Sequence, residues 1–331
     1  MSFFNDAPMF TWLDYIAMQY NPFQDFKTPS ILPESPTMSS LNLPKTQYRL
    51  SSTMFQYCQQ YQTFLEKYFR SSHHDFRLYI PASIISQNIK SGLWKGVELR
   101  NKENNIIGLV FSKYMGCEPS TKIHSGMIDY LCIHPSYRKQ GLVNILLRAL
   151  YVFCAPKYKV HFFRKEGFPL AYPPIQSTYF LCRKKRNFAP HASIQKVSYS
   201  QSLQTIFQNT LGKDALYFQD NQSPSSLEIY KYNQDNPIYL ALIPTYELSP
   251  QNESCCELLV WGCEKPCSSI ALSYGIEAII DQLPYDIFFA PQHIPHQEFL
   301  GWKPQGTIGL YGFHFHPGSP ASRPLFSSLT F

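Results

Sequence analysis

The stretch MIDYLCIHPSYRKQGLVNILLRALYVFC, Met127–Cys154, decides the fold of this chain. It begins with a strand-like apolar run, 127–133, and continues through a basic turn, Arg138-Lys139-Gln140-Gly141. Beyond the turn, apolar residues recur at offsets of three, four, seven, eight and eleven, the spacing of one face of an α-helix: Leu142, Ile145, Leu146, Ala149, Leu150 and Phe153. The pattern predicts a buried strand, a turn and an amphipathic helix in succession.

A basic, glycine-containing turn at the start of a helix is suited to bind an anion. The first backbone N–H groups of a helix have no acceptor within it, and the positive end of the helix dipole lies at the same place. The same succession of elements also occurs throughout α/β proteins as plain scaffold. At this point both interpretations stay open, an anion site and a purely structural unit.

Length and composition describe a folded protein. The chain has 331 residues, 44% of them hydrophobic and 16% charged, enough for one large core or two ordinary ones. The formal net charge of +6 favours anionic partners but is modest for a nucleic-acid-binding protein, so we expect no nucleic-acid partner. No segment has about 18 consecutive apolar residues, and the N-terminus lacks the shape of a signal peptide. With nine cysteines, these features predict a cytoplasmic protein with reduced thiols.

The turn and the strand before it resemble two signatures of one superfamily. Arg138-Lys139-Gln140-Gly141-Leu142-Val143 resembles the acyl-CoA-binding motif R/Q-x-x-G-x-G/A of the GNAT acyltransferases, with Val143 in place of the last Gly or Ala. The strand Ile128–His134, IDYLCIH, resembles the I-N-F-L-C-V-H signature of the N-myristoyltransferases, which consist of two fused GNAT units. The chain therefore resembles a divergent member of the N-myristoyltransferase family.

The resemblance continues along most of the chain. Phe76–Pro81 resembles the family's F-R-F-x-Y-S-P, and Tyr285–Ala290 resembles its G-F-D-V-F-N-A. It implies an α/β (α+β) fold of two fused GNAT-like acyl-CoA N-acyltransferase units, with mixed central sheets flanked by helices. The implied division is an extended N-terminal arm, 1–48, an acyl-CoA-binding domain, 49–190, and a trimmed second domain with a tail, 191–331.

The resemblance also implies where acyl-CoA and substrate bind. The amides of Tyr130 and Leu131, at a bulge of the strand, would polarise the thioester carbonyl, because donors aimed at a developing oxyanion are a large catalytic contribution. The general base would be the terminal carboxylate, which belongs here to Phe331. The CoA phosphates would lie on the turn and the helix start: Arg138, Lys139, Gln140, Gly141, Leu142 and Val143. The implied substrate contacts are Tyr68, Phe76, Gly167 and Tyr179.

Two residues depart from the family where it holds the acceptor's amine. Asp129 stands in place of Asn, and Lys165 in place of Thr. An isolated Asp in an apolar strand is costly unless it is paired. Either Asp129 forms an ion pair with Lys165, or Asp129 is the general base or binds the substrate's ammonium group. Residues 70–75 also lack most of the family's acidic patch, so we expect the acceptor to depart from the family's usual rule.

Two further clusters have structural and functional interpretations. The basic run 183–186, RKKR, is typical of a solvated linker at a domain boundary, and a nucleic-acid contact or nuclear address is the alternative. Four cysteines could supply metal ligands, but their spacing lacks paired C-x-x-C knuckles, so we predict buried thiols and no metal: Cys255, Cys256, Cys263 and Cys267.

Apolar periodicity predicts the remaining major elements. The predicted helices are Thr53–Tyr68, Leu203–Leu211 and Ser268–Gln282. A β-hairpin is predicted from Leu93–Leu99 and Ile106–Lys113, and a final strand from Gly309–Phe315.

Two functions of different classes follow. The first is an acyl-CoA-dependent N-acyltransferase, a monomer without a metal, which transfers a fatty acyl group from myristoyl-CoA or a similar co-substrate to the amine of an acceptor peptide or protein N-terminus. The amine would attack the thioester directly. The second is a catalytically inactive relative that binds acyl-CoA, lipid or a protein partner.

Overall fold

The computed structural model of this chain describes residues 30–31, 48–69, 76–118, 123–154, 160–166, 176–186, 193–211, 227–232, 235–291, 294, 301–313 and 315–316. The predicted arm, 1–48, lies almost entirely outside these residues. Packing divides the chain into two compact units, the first with residues 1–175 and 309–323 and the second with 176–308 and 324–331. Within the described ranges, no helix is long and apolar enough to cross a membrane.

The first unit is built on a mixed sheet. The strands of this unit up to residue 175 are β1 (Ser30–Ile31), β2 (Tyr48–Ser52), β3 (Arg77–Leu78), β4 (Trp94–Asn101), β5 (Ile106–Glu118), β6 (Ile123–Ile133) and β7 (Val160–Glu166). Its α-helices are α1 (Cys58–Tyr68), α2 (Ala82–Lys90) and α3 (Leu142–Cys154), and short 3-10 helices span Phe55–Tyr57 and Pro135–Tyr137. The sheet order is β2-β4-β5-β6-β7, with β6 and β7 parallel and the other neighbours antiparallel.

Helices cover both faces of this sheet. Leu146 and Leu150 of α3 are fully buried and pack in one cluster with Val110 of β5. The next residue of β5, Phe111, points the other way, since successive strand residues face opposite sides. Its ring meets that of Tyr61 in α1 edge-on, with centroids 6.1 Å apart. Strand β6 therefore runs between two helical layers.

The predicted strand, turn and helix are confirmed. Strand β6 ends at Ile133 and α3 begins at Leu142. The predicted helix over 53–68 is divided into the 3-10 turn Phe55–Tyr57 and α1. The predicted hairpin is formed by β4 and β5, and the side chain of Asn101 closes its turn by accepting the Asn105 amide at 2.9 Å.

The second unit also contains β-strands of mixed direction. Its strands are β8 (Gln176–Lys184), β9 (Ile194–Val197), β10 (Glu228–Tyr232), β11 (Ile238–Leu248), β12 (Ser254–Cys263) and β13 (Ile287–Pro291), with helices α4 (Gln201–Leu211) and α5 (Ser269–Gln282). The strand order is β8-β13-β12-β11-β10-β9, and β12 and β13 are parallel. Strand β14 (Lys303–Phe313) follows in the chain; β15 (Phe315–His316) belongs to the first unit and pairs there with β1.

Helix α5 begins and ends where the sequence predicts. Ser268 caps it, because its hydroxyl accepts the Ala271 amide at 3.2 Å. It ends at Gln282 because Leu283, which precedes Pro284, adopts an extended ψ of 154°. The apolar side of α5 packs on Leu240, Leu258 and Phe288 in a buried cluster. Leu203 and Phe207 of α4 pack in another cluster, with Leu259.

The interpretation of the basic run 183–186 as a solvated linker is wrong. Arg183 lies in β8 and is 2% exposed. Its guanidinium pairs with the carboxylates of Glu277 and Asp281 on α5, the latter at 2.6 Å. Arg186 joins the same two carboxylates, and the Trp302 indole donates to Glu277 at 2.8 Å. The run was mispredicted because its partners lie more than 90 residues away in sequence.

Candidate functional site

A β-bulge interrupts the central strand β6 of the first unit. Leu109 of β5 pairs with Cys132 and Phe111 pairs with Asp129, so one residue of β5 stands opposite two of β6, Tyr130 and Leu131. Tyr130 has a positive φ of 53°, which few non-glycine residues adopt. A bulge removes a backbone group from the regular ladder and re-aims it. The bulge coincides with the two residues predicted to polarise a carbonyl.

Asp129 lies beside the bulge and makes two polar contacts there. Its Oδ1 accepts the backbone amide of Tyr130 at 2.8 Å, and its Oδ2 accepts from the ammonium of Lys113 at 2.6 Å. The same Lys113 Nζ donates to the Tyr130 hydroxyl at 2.7 Å. The partner of Asp129 that the structure describes is therefore Lys113 of β5. The side chain of Lys165 lies outside the described residues, so the predicted Asp129–Lys165 pair stays a prediction.

Aromatic rings surround this ion pair. Lys113 Nζ lies 3.9 Å from the ring centroid of Tyr130 and 5.1 Å from that of Trp94. The Trp94 and Tyr130 rings are 5.5 Å apart, and Phe69 meets Tyr130 edge-on at 6.2 Å. The rings cover much of the Lys113 ammonium, whereas the Asp129 carboxylate is more open to solvent. The Lys113 side chain is 13% exposed and that of Asp129 37%.

The turn between β6 and α3 has the backbone of an anion-binding loop. Lys139 and Gly141 both have positive φ, 66° and 73°. Apart from its two neighbours in the chain, no described residue has an atom within 4 Å of a Cβ placed on Gly141, so the space in front of this residue is open. At the start of α3, the Asn144 amide donates a hydrogen bond to the Gly141 carbonyl at 3.2 Å. Leu142 is buried and Val143 half-buried, whereas Lys139 and Gln140 are exposed.

Arg138 holds the turn in place. Its Nε donates to the carbonyl of Ile133 at 3.1 Å, and its Nη2 donates to the carbonyl of Tyr68 at 3.3 Å. The guanidinium therefore connects the end of β6 with the end of α1, and its charge lies beside the loop. Gln140 accepts from the Tyr48 hydroxyl at 3.0 Å and so connects the loop to β2.

His134 stands at the corner between β6 and the 3-10 turn. Its Nδ1 accepts the Ser136 amide at 3.2 Å, and its ring lies 4.4 Å from that of Tyr68. Desolvation, followed by the charges of Lys67 and Arg138, lowers its pKa. The imidazole is therefore neutral near pH 7, with Nδ1 as the acceptor.

An open groove of about 1110 Å³ lies beside this corner. Helix α1, the β4–β5 turn and the 3-10 turn form its walls, and its lining includes Tyr68, His134 and Tyr137. The groove lies on the α1 side of the phosphate-binding turn predicted from the sequence.

The structure brings most of the predicted site residues together. Asp129, Tyr130 and Leu131 lie at the bulge, and the turn follows at the end of the same strand. Tyr68 reaches the turn through its carbonyl bond to Arg138. Phe76 lies directly before β3 and is half-buried, while Tyr179 is 36% exposed in β8 of the second unit. Gly167 and Phe331 lie outside the described residues.

Sequence reasoning missed Lys113. It is the one charged residue in the apolar run IIGLVFSKYMG, 106–116, and such an isolated charge in a predicted strand was the available signal. Its partner could not be identified, because that required the register between β5 and β6. Among the described residues, no group of three or more His, Cys, Asp or Glu side chains is arranged to hold a metal.

Comparison with solved structures identifies the fold. One structure of Saccharomyces cerevisiae N-myristoyltransferase with bound myristoyl-CoA matches with a TM-score of 0.65 at 13% identity, covering 91% of this chain and 88% of that one. Another, with bound myristoyl-CoA and inhibitors, matches with a TM-score of 0.66 at 13% identity, covering 97% and 99%. No protein-family model and no curated protein matches the sequence. The predicted resemblance to the double-GNAT fold of the N-myristoyltransferases is therefore confirmed by the structure.

Proposed function

We propose that this chain is an acyl-CoA-dependent N-acyltransferase that transfers a fatty acyl group to an amine. The observation that carries the proposal is the bulge at Tyr130 and Leu131 on the strand that leads into the open turn at Gly141. An acyl-CoA needs both features, since its thioester carbonyl requires donors and its phosphates require an anion site. In this chain, strand β6 would supply the carbonyl donors and the turn after it would supply the anion site.

The CoA phosphates would lie at the start of α3. Backbone amides from Lys139 to Val143 would donate to them, and the positive end of the helix dipole favours the negative charge. Gly141 leaves room for this approach. Lys139 adds a solvent-exposed positive charge, and Arg138 adds a charge held in position by two carbonyls. The yeast structures with the same fold contain myristoyl-CoA, which supports a long-chain acyl-CoA as the co-substrate.

The thioester carbonyl would accept from the amides of Tyr130 and Leu131. Such donors stabilise the oxyanion that develops when an amine attacks, and they act in a site partly shielded from water. In the present arrangement the Tyr130 amide donates to Asp129. The carboxylate must therefore give up this bond when the carbonyl binds, which frees its Oδ1 to accept a proton from the attacking amine.

Two carboxylates are candidates for the general base. One is Asp129, next to the bulge, and the other is the chain terminus at Phe331, by resemblance. A general base must come within hydrogen-bonding reach of the proton it removes. Lys165 is proposed to contact the acceptor from β7. We propose that the acceptor is a peptide or protein N-terminus. We also propose that the present protein is cytoplasmic.

A second function has an observation in its favour. Asp129 already holds one bulge amide and the Lys113 ammonium. An inactive relative that binds acyl-CoA without transferring the acyl group would keep this arrangement.

Binding and turnover separate the two functions. Titration with acyl-CoAs of different chain length, followed by thermal shift, tests whether acyl-CoA binds. Release of CoA thiol in the presence of peptides with free N-termini and varied sequences tests for transfer. Binding with peptide-dependent thiol release supports the acyltransferase, binding without it supports the inactive relative, and absence of binding contradicts both.

A further inference from the structure

The ammonium group of Lys113 is enclosed as a bound ligand would be. A carboxylate oxygen of Asp129 lies at 2.6 Å, the Tyr130 hydroxyl at 2.7 Å, and two aromatic faces at 3.9 and 5.1 Å. Carboxylates and aromatic faces are the groups with which proteins recognise alkylammonium ligands. Asp129, Tyr130 and Trp94 together form an ammonium box.

Strand register places these groups on one face. Trp94 of β4 pairs with Lys113 of β5, which in turn pairs with Met127 of β6. Asp129 is two residues beyond Met127 and so shares its face, at a diagonal position from Lys113 that long side chains can span. The bulge turns the Tyr130 ring toward the same place. Strand register and the bulge therefore determine the positions of the box residues, and the Lys113 side chain occupies the space between them.

The position of the box relates it to the proposed chemistry. Oδ1 of its carboxylate holds the Tyr130 amide, one of the two donors proposed for the acyl carbonyl. An amine bound to this carboxylate would lie next to the carbonyl that it attacks. In this chain, that location contains the ammonium of Lys113.

We propose that the ammonium box is a binding site for a primary ammonium group, that Lys113 occupies it from within the chain, and that an acceptor's ammonium must displace Lys113 to react. Lys113 is then a specificity-determining residue. The displacement of Lys113 by an acceptor rests on the proposed function, whereas the ammonium site itself does not. Two cations cannot share one carboxylate without repulsion, so Lys113 selects against acceptors that bind weakly.

Removal of the lysine side chain tests the site directly. In Lys113→Ala, ethylammonium chloride should bind at least about tenfold more tightly than to the wild type, because the vacated carboxylate regains a cation. Binding is measured by calorimetry and by thermal shift, against sodium chloride at equal ionic strength and against ethanol. Lys95→Ala is the matched control, because Lys95 lies on the neighbouring strand over the Phe153 ring, outside the box.

Two further variants make the result decisive. The double variant Lys113→Ala/Asp129→Asn should lose the gain, because the carboxylate is gone. Lys113→Met removes the charge but keeps the apolar packing of the lysine stem, and it serves if the alanine variant folds poorly; it should also bind ethylammonium at the free carboxylate more tightly than the wild type does. Equal ethylammonium affinity in the wild type and in whichever of these single variants folds would overturn the proposal.

The role of Lys113 in acyl transfer is tested by a separate measurement. With acyl-CoA bound, Lys113→Met should lower the KM for amine acceptors at least about tenfold while acyl-CoA affinity stays unchanged. If ethylammonium binds the variants but no variant binds acyl-CoA, the ammonium site stands and the proposed function fails. If acyl-CoA binds and amine transfer by the wild type already matches that of Lys113→Met, the selective role of Lys113 is wrong.

Discussion

The carboxylate of Asp129 accepts the backbone amide of Tyr130, its own neighbour in sequence, at 2.8 Å. The bulge frees this donor from the sheet, and the side chain one residue earlier satisfies it. A donor occupied by a side chain is protected from the cost of being left without an acceptor. A substrate carbonyl that takes the donor therefore replaces a charge-assisted bond with a neutral one, which becomes charge-assisted only as the oxyanion develops.

Substitution of Gly141 tests the proposed phosphate site. Gly141→Asp should lower acyl-CoA affinity at least about a hundredfold, because a carboxylate then faces the phosphates. Gly141→Asn is the matched control, since Asn tolerates the positive φ of 73° better than most residues and adds no charge. Both variants should lose about 1 kcal/mol of stability from the backbone conformation. Isothermal titration with acyl-CoA and urea denaturation measure the two effects, and equal affinity in both variants would contradict a charge-based loss.

The choice of general base is tested by two variants. If the terminal carboxylate acts, deletion of residues 329–331 should remove turnover and leave acyl-CoA binding intact. If Asp129 acts, Asp129→Asn should reduce turnover by about a hundredfold or more, the usual contribution of a general base. Both are measured by thiol release under saturating acyl-CoA. Full activity in both would refute the mechanism.

Asp129→Asn should also affect stability. It leaves the mostly buried Lys113 ammonium without its carboxylate, so a loss of about 1–3 kcal/mol in the free energy of unfolding is expected. The double variant Asp129→Asn/Lys113→Met removes both charges and should recover part of this loss. A double-mutant cycle in urea gives the coupling energy, and a value near zero would show that the pair contributes nothing.

Arg183 and Lys184, adjacent in β8, allow the stability contribution of a buried ion pair to be compared with that of an exposed one. Arg183→Met removes a buried guanidinium and leaves Glu277 and Asp281 with less positive charge, so a loss of about 3–5 kcal/mol is expected. Lys184→Met removes a side chain that is 67% exposed and paired with Glu253, so its effect on stability should be much smaller than that of Arg183→Met. Chemical denaturation of both variants measures the difference. Similar small losses would mean that the buried pair contributes little net stability.

Protonation of His134 at acidic pH should lower the stability of the protein. The pKa of His134 is lowered in the folded protein, so the folded state binds its proton less readily than the unfolded chain does. Its contribution to stability is therefore complete above the ordinary His pKa of about 6.5 and is lost as the pH falls through the lower folded value. Protonation also removes the acceptor of the Ser136 amide. NMR titration of the ring checks the direction, and His134→Asn should remove this part of the pH dependence.

Cys263 and Cys267 should form a disulfide when the protein is oxidised. Their Sγ atoms are 3.8 Å apart, and both residues are half-buried. With oxidised glutathione, thiol–disulfide exchange would join the two sulfurs and release two molecules of reduced glutathione. Peptide mapping by mass spectrometry detects the bond. Cys182 is the control thiol, because it is also half-buried and burial raises its pKa to about 11.

Local patterns in the sequence were sufficient for much of the fold. Helix α3 could be predicted because its apolar spacing is uninterrupted from Leu142, and α5 because Ser268 and Pro284 mark its ends. The bulge was predicted by resemblance, since no local feature of Tyr130 or Leu131 requires one. The partners of Lys113 and Arg183 could not be predicted, because each pair depends on which strand or helix lies alongside. Register and long-range packing decide this, and neither is encoded in a short window.

The bulge in β6 also shifts the alternation of the strand. Ile128 packs on the α3 side, and beyond the extra residue so do Leu131 and Ile133, at odd instead of even positions. A strand without the extra residue would turn one of these two sets toward the opposite face. Removal of the extra residue would therefore misplace core side chains, whether or not the protein transfers acyl groups. The presence of the bulge therefore does not separate an active acyltransferase from an inactive relative, and variants of Asp129 and Lys113 are needed for that.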